Sequence, residues 1–134
     1  IYPDSNRKSK ILTNLLTRKK LYNLIYSFLA ELHRLGYNPE KAVLFGSYAK
    51  GTPHALSDVD LAVWDAQFCG VNFIDFEPFV ALISKYHPLQ LHTFKAGETE
   101  ADNPFIAEII SSGIQIDTNI SICPNLPQAS AREK

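Results

Sequence analysis

Within residues 58–64, the positions from Asp58 to Val63 alternate between apolar side chains and polar or small ones, and this alternation constrains the fold more than any other feature of the sequence. The apolar side chains occupy every second position and are Val59, Leu61 and Val63. Successive side chains of a strand point to opposite faces of its sheet. The segment is therefore predicted to be a strand that buries one face and carries the carboxylates of Asp58 and Asp60 on the other.

The remaining periodicities predict that this strand belongs to a small α/β or α+β domain. Further strands are expected at residues 42–45, 89–94 and 114–116, and helices at residues 17–36, 72–86 and 104–112. Pro78 lies within the second of these helices, so that helix is expected either to kink there or to begin near Glu77. This order of elements predicts a small mixed sheet with helices packed on it.

The length of 134 residues fits one domain. We expect this domain to span residues 17–118, after a polar arm at 1–16 and before a loose tail at 119–134. No apolar run approaches the roughly 20 residues that a membrane span needs. Cys69 and Cys123 lack Cys-x-x-Cys spacing. This usage predicts reduced thiols and a cytoplasmic location.

The predicted strand at residues 42–45 ends at Gly46-Ser47, and a loop with one helical turn is expected to follow. A glycine lets a ligand approach the backbone closely, and the first N–H groups of a helical turn favour an anion. The carboxylates of Asp58 and Asp60 suit a hard cation such as Mg²⁺ or Mn²⁺. A phosphate cradle beside paired carboxylates is the arrangement that metal-assisted phosphoryl transfer needs.

This stretch resembles the signature of minimal nucleotidyltransferases of the polymerase-beta-like superfamily, which is Gly-Ser, ten residues and Asp-x-Asp. Gly46-Ser47, residues 48–57 and Asp58-x-Asp60 match this spacing without a gap. Residues 103–114 resemble the family's last helix and strand. The resemblance extends over about residues 20–118 and implies the polymerase-beta-like nucleotidyltransferase fold.

The resemblance also implies roles for individual residues. Gly46, Ser47, Lys50 and Ser57 are expected to bind an NTP, with ATP the expected nucleotide. Asp58 and Asp60 are expected to be catalytic and to hold Mg²⁺ or Mn²⁺. The simpler interpretations are a strand-ending turn for Gly46-Ser47, a solvated strand face for the two aspartates and an ordinary surface position for Lys50.

The sequence departs from the family where a third carboxylate is expected on the next strand. Gln90 stands at that position, and His92 shares its face. A neutral amide is a poor base and supplies no charge to a metal. His92 is the alternative candidate for the base or a metal ligand. We assign both residues to the catalytic site as candidates.

The resulting hypothesis is an enzyme that transfers a nucleoside monophosphate from NTP to an acceptor hydroxyl. By resemblance, such a small domain pairs with a helical partner of the HEPN type and acts as the antitoxin of a toxin–antitoxin pair. The alternative is a catalytically weak or inactive NTP-binding or antitoxin module. A net charge of −1 gives no support for nucleic acid as a partner, and the sequence favours no particular oligomeric state.

Three further groups are interpreted as having no role in the site. Trp64 is expected to pack in the core rather than to stack on a base. The aromatic stripe of Phe73, Phe76 and Phe79 is expected to lie in the core as well. The basic residues 18–20 are expected to be solvated.

Overall fold

The computed structural model describes residues 15–54 and 56–118. The strands are β1 (Lys41–Phe45), β2 (Val59–Asp65), β3 (Leu89–Lys95) and β4 (Ile114–Ile116). The α-helices are α1 (Arg18–Arg34), α2 (Ser47–Lys50), α3 (Asn72–Phe76), α4 (Val80–Lys85) and α5 (Pro104–Ser112), and a 3-10 turn (Glu77–Phe79) joins α3 to α4. Most of the predicted arm, the predicted tail and Cys123 lie outside the described residues. Within the described part, none of the helices has the length and apolar character to cross a membrane.

The four strands form one mixed sheet in the order β3-β2-β1-β4. β1 is antiparallel to both β2 and β4, and β2 is parallel to β3. The predicted fold class, a small mixed sheet with helices packed on it, is confirmed. The register places Asp60 between Phe45 on β1 and Gln90 on β3. The three strands that carry the sequence motifs are therefore neighbours.

One face of the sheet packs against α1. Val59, Leu61 and Val63 on this face have no exposed surface, as the alternation predicts. Thr17 caps the start of α1, since its hydroxyl oxygen accepts a hydrogen bond from the Lys20 N–H at 3.1 Å. The helix ends at Arg34, next to Gly36, as expected. The core of this face thus fixes which side of β2 carries Asp60.

The opposite face is covered by α5. Ile106 and Ile109 of this helix are buried against the sheet with Trp64 and its neighbours. Trp64 is 1% exposed and its indole N–H donates to the Glu98 carbonyl at 2.8 Å, so its predicted packing role is confirmed. Asn103 caps α5 as expected, because its side-chain oxygen accepts from the Phe105 N–H at 3.0 Å. This cap fixes where α5 starts over the sheet.

The predicted helix at residues 72–86 is divided at Pro78, which lies in the 3-10 turn between α3 and α4. The kink is confirmed, and the alternative start near Glu77 is wrong. Phe79 is buried, but Phe73 is 77% exposed, so the prediction of a core position for Phe73 is wrong. Asp75 takes the inward position of α3 and is 6% exposed. Positions two apart point in nearly opposite directions on a helix, so Phe73 faces outward.

The carboxylate of Asp75 can remain buried because it accepts hydrogen bonds from three neighbouring groups. The Cys69 and Gly70 N–H groups donate to it at 2.9 and 3.0 Å, and the Thr93 hydroxyl donates at 2.7 Å. A buried carboxylate with this many donors is well compensated for its lost hydration. Asp75 therefore anchors α3 to β3 and to the loop after β2.

A cluster of polar groups joins α1 to the end of α4. The Lys85 ammonium and the Tyr86 hydroxyl both donate to the Glu31 carboxylate at 3.1 Å. The hydrogen bond from Lys85 is the largest cause that lowers the pKa of Glu31 below its usual value of 4.5. Because the folded chain favours ionised Glu31, this contribution to stability is present above that value and is lost as the pH falls through the folded pKa.

Acidification is therefore expected to destabilise the wild-type chain more than the Glu31→Gln variant. Urea unfolding of both proteins between about pH 6 and about pH 3 measures this difference. Equal losses of unfolding free energy in the two proteins would show that Glu31 makes no such contribution.

Candidate active site

The candidate site lies on the sheet face that α5 covers, beyond the edge of the buried cluster. Asp60 shares this face with Ala62 and Trp64, and Gln90 and His92 share it from β3. The side chains of Asp60 and His92 are 27% and 22% exposed. These side chains are therefore accessible to a ligand while their strands are held by the core.

Gly46 brings the backbone after β1 into direct contact with Asp60. Its φ of +80° and ψ of −159° lie in a region that essentially only glycine adopts. A Cβ at this position would overlap the Oδ2 atom of Asp60. Both the conformation and the approach thus require glycine here, and the start of α2 lies against the carboxylate.

α2 is the single helical turn that the sequence predicted after Gly46. The N–H groups of Ala49 and Lys50 donate to the Gly46 carbonyl at 3.1 Å. The first N–H groups of a helix have no partner inside the helix, so those of Ser47 and Tyr48 find no carbonyl partner within α2. This arrangement supports the expectation that the backbone at Gly46-Ser47 can bind an anion.

Asp60 and His92 form a polar pair between β2 and β3. His92 Nε2 lies 3.3 Å from Asp60 Oδ1, so it can donate a hydrogen bond when this nitrogen carries the proton. Gln90 is exposed and neighbours Asp60 in the β2–β3 register, as the parity of β3 predicted. The position that the resemblance assigns to an acid is thus a neutral amide beside Asp60.

The other predicted site residues are less closely tied to this pair. Asp58 is exposed and lies one residue before β2, so it precedes the strand on which it was expected. Lys50 is exposed at the end of α2. Ser57 uses its hydroxyl oxygen to accept a hydrogen bond from the His54 N–H at 2.8 Å. Ser57 therefore has a local role in the loop that leads into β2.

Phe105 has no site role in the sequence-based predictions but contacts the site. Its ring centroid lies 5.8 Å from that of Phe45 and 6.2 Å from that of His92. The signal in the sequence is the Asn103-Pro104 helix start, which fixes Phe105 in the first turn of α5. The sequence does not reveal that this turn lies over the end of β1.

The donor set fits a divalent cation that is bound together with a phosphate ligand. Among the described residues, no group of three His, Cys, Asp or Glu side chains is arranged to hold a metal. Mg²⁺ commonly takes one or two carboxylates, with substrate phosphates and water completing its shell. Asp60, with Asp58 two residues earlier in the sequence, meets that smaller requirement, and the backbone at Gly46 lies against the Asp60 carboxylate.

A comparison with known families agrees with this geometry. The family model described as "Polymerase beta, Nucleotidyltransferase" matches residues 27–119. The matched segment extends from α1 to the residues after β4 and includes the whole candidate site. No curated protein matches the chain.

Proposed function

The chain belongs to the polymerase beta nucleotidyltransferase family, and from this premise we propose that it transfers a nucleoside monophosphate from ATP to an acceptor hydroxyl. The observation that most supports the proposal is the contact between Gly46 and Asp60. Because glycine has no Cβ, the backbone that we propose to bind phosphate lies against the carboxylate that we propose to bind the cation. Phosphoryl transfer needs both partners at one place.

In the proposed reaction, Gly46 and Ser47 hold the terminal phosphates through backbone N–H groups and the Ser47 hydroxyl. Lys50 adds positive charge, and Ser57 shapes the loop before β2. Asp58 and Asp60 would hold Mg²⁺, which supplies charge neutralisation for the phosphates when it is bound.

The acceptor oxygen bonds to the α-phosphorus while the bond from that phosphorus to the β-phosphate oxygen breaks. Pyrophosphate leaves with that electron pair, and the acceptor hydroxyl loses its proton to His92 or to solvent. His92 also orients the Asp60 carboxylate through the pair at 3.3 Å.

A second candidate function is an NTP-binding antitoxin module without efficient turnover. The specific observation in its favour is Gln90, which neighbours Asp60 where a third carboxylate is expected. A neutral amide neither binds a cation strongly nor accepts a proton readily. We therefore expect weak transfer by the isolated wild-type chain.

Replacing Gln90 with glutamate is expected to raise the transfer rate at least about tenfold, which is about 1.4 kcal/mol of the barrier. The new carboxylate adds negative charge beside Asp60. The measurement is the transfer of labelled AMP from ATP in the presence of Mg²⁺. Gln115→Glu is the matched control, because it makes the same change at an exposed position on β4, across the sheet.

The result that contradicts this assignment involves His92. If the wild-type chain turns over robustly, Gln90→Glu brings no gain and His92→Ala abolishes transfer, then His92 is the working group. If His92 is only structural, His92→Ala leaves the low activity nearly unchanged.

The proposed acceptor is a protein partner of the HEPN type, which the chain would modify with AMP as the antitoxin of the pair. This part of the proposal rests on the resemblance to minimal nucleotidyltransferases and on the small size of the domain. Labelled ATP and Mg²⁺ are incubated with the chain, with and without the product of the neighbouring gene. Label that appears on the partner only when the chain is present supports the proposal, and label on neither protein favours the binding module.

A further inference from the structure

Three aromatic rings form a wall beside the candidate site. The ring centroids of Phe45 and His92 are 4.9 Å apart, and Phe105 lies 5.8 Å from Phe45 and 6.2 Å from His92. All three pairs meet edge to face, with interplanar angles of 61°, 80° and 61°. Edge-to-face packing is a favourable geometry for aromatic pairs. The wall is therefore ordered by its own contacts.

Phe105 is the open member of this wall. Phe45 is 9% exposed, whereas Phe105 is 40% exposed. The backbone that carries Phe105 is fixed, because its N–H donates to the Asn103 side-chain oxygen at 3.0 Å and the preceding Pro104 has a fixed φ. Ile106, the next residue, is 2% exposed and anchors the helix in the core. A large apolar ring on a fixed stretch of backbone is thus exposed at the surface.

The wall adjoins the elements that would hold the triphosphate. Phe45 immediately precedes Gly46, and His92 contacts Asp60 at 3.3 Å. Phe105 contacts both rings. Its side chain has no polar group, so it makes no hydrogen bond with Gly46 or Asp60. An NTP combines a triphosphate with a flat base, separated by a ribose. A rigid apolar ring next to the phosphate cradle matches the base in shape and chemistry.

We propose that the exposed ring of Phe105 stacks on the nucleobase of the bound NTP. This inference rests on the proposed function, because it assigns the base of the same nucleotide. Stacking on phenylalanine tolerates every base, since each base has a π-face and the ring offers no hydrogen bond to read its edge. The site would therefore bind different NTPs with only modest differences in affinity.

The test compares two ligands on the wild-type chain and on Phe105→Ala, in the presence of Mg²⁺. One ligand is a non-hydrolysable ATP analogue, and the other is inorganic tripolyphosphate, which has no base. Calorimetry is expected to show roughly tenfold weaker binding of the ATP analogue to Phe105→Ala, from the usual strength of base–aromatic stacking. Binding of tripolyphosphate is expected to stay unchanged.

Ile110→Ala is the matched control. Ile110 lies on the same helix and is 42% exposed, close to the 40% of Phe105, but it is not part of the aromatic wall. Its replacement is expected to leave both affinities unchanged. Phe105→Trp supplies a second readout, because the sequence has one tryptophan, Trp64, which is buried. The ATP analogue should quench the new fluorescence, and tripolyphosphate should not.

The outcomes separate this inference from the function on which it rests. The stacking role is overturned if Phe105→Ala binds the ATP analogue as tightly as the wild type does, or if its affinities for both ligands fall equally. The phosphate site stands in either case. If the wild-type chain binds neither ligand, the proposed function fails and this inference fails with it. The proposal is supported if Phe105→Ala loses affinity for the ATP analogue but not for tripolyphosphate, and if only the ATP analogue quenches the fluorescence of Phe105→Trp.

Discussion

Replacing Gly46 with alanine is expected to abolish measurable NTP binding while the domain remains folded. The added Cβ would overlap Oδ2 of Asp60, so either the carboxylate or the start of α2 has to move. The backbone conformation of Gly46 adds about 1–3 kcal/mol of strain for any other residue. This cost is smaller than the unfolding free energy of about 5–15 kcal/mol that is typical of domains, so the variant should remain folded. Calorimetry with a non-hydrolysable NTP and circular dichroism measure the two effects.

Gly51→Ala is the matched control for this experiment. Gly51 ends α2 with a φ of +77°, and a Cβ there would meet nothing within 4 Å. Its replacement therefore adds backbone strain in the same loop without disturbing Asp60. We expect lower stability but NTP binding close to that of the wild type. Unchanged NTP affinity in Gly46→Ala would show that the contact between Gly46 and Asp60 has no role in binding.

The Asp60→Asn variant is expected to lose the part of NTP affinity that depends on a divalent cation. The amide keeps the size of the side chain but removes the charge that a hard cation requires. We expect about 100-fold weaker binding of the nucleotide in the presence of Mn²⁺, or about 2.7 kcal/mol. In the absence of the cation, the affinities of the variant and the wild type should be similar.

Glu100→Gln removes one negative charge from an exposed position in the loop before α5, away from the β1–β2 motif. This control separates the loss of a ligand from a change in net charge. The NTP affinity of Glu100→Gln should retain its full dependence on Mn²⁺. If Asp60→Asn also retains that dependence, Asp60 is not a metal ligand.

The sequence was sufficient to predict the sheet and the part of the site that lies next to the motif. The alternation in β2 determined which face is buried, and the glycine after a short apolar strand indicated where β1 ends. The β1–β2 register then places Phe45 opposite Asp60, so that Gly46 lies against the carboxylate. Local periodicity and spacing are enough for these inferences because the two strands are close in sequence.

The incorrect predictions concern positions that depend on distant partners. Phe73 was assigned to the core as part of a stripe along one continuous helix at residues 72–86, but the 3-10 turn at Glu77–Phe79 divides that helix. Asp75 occupies the inward side because Cys69, Gly70 and Thr93 supply hydrogen bonds that no local pattern reveals.

Gly113 directly follows α5 and has a φ of −91°, which residues other than glycine also adopt. Glycine is required there for a different reason, because a Cβ would overlap the Ile109 carbonyl and the side chain of Val43. Its position thus depends on how closely α5 approaches β1, which local sequence does not encode. The contacts of Phe105 with Phe45 and His92 were missed for the same reason.

The most direct test of the central claim is a crystal structure of the chain with a non-hydrolysable ATP analogue and Mn²⁺. We expect anomalous density for Mn²⁺ beside the Asp58 and Asp60 carboxylates, with the triphosphate on the backbone of Gly46 and Ser47. Carboxylates that point away from Ser47, or a triphosphate bound elsewhere on the chain, would show that these residues do not form the nucleotide site.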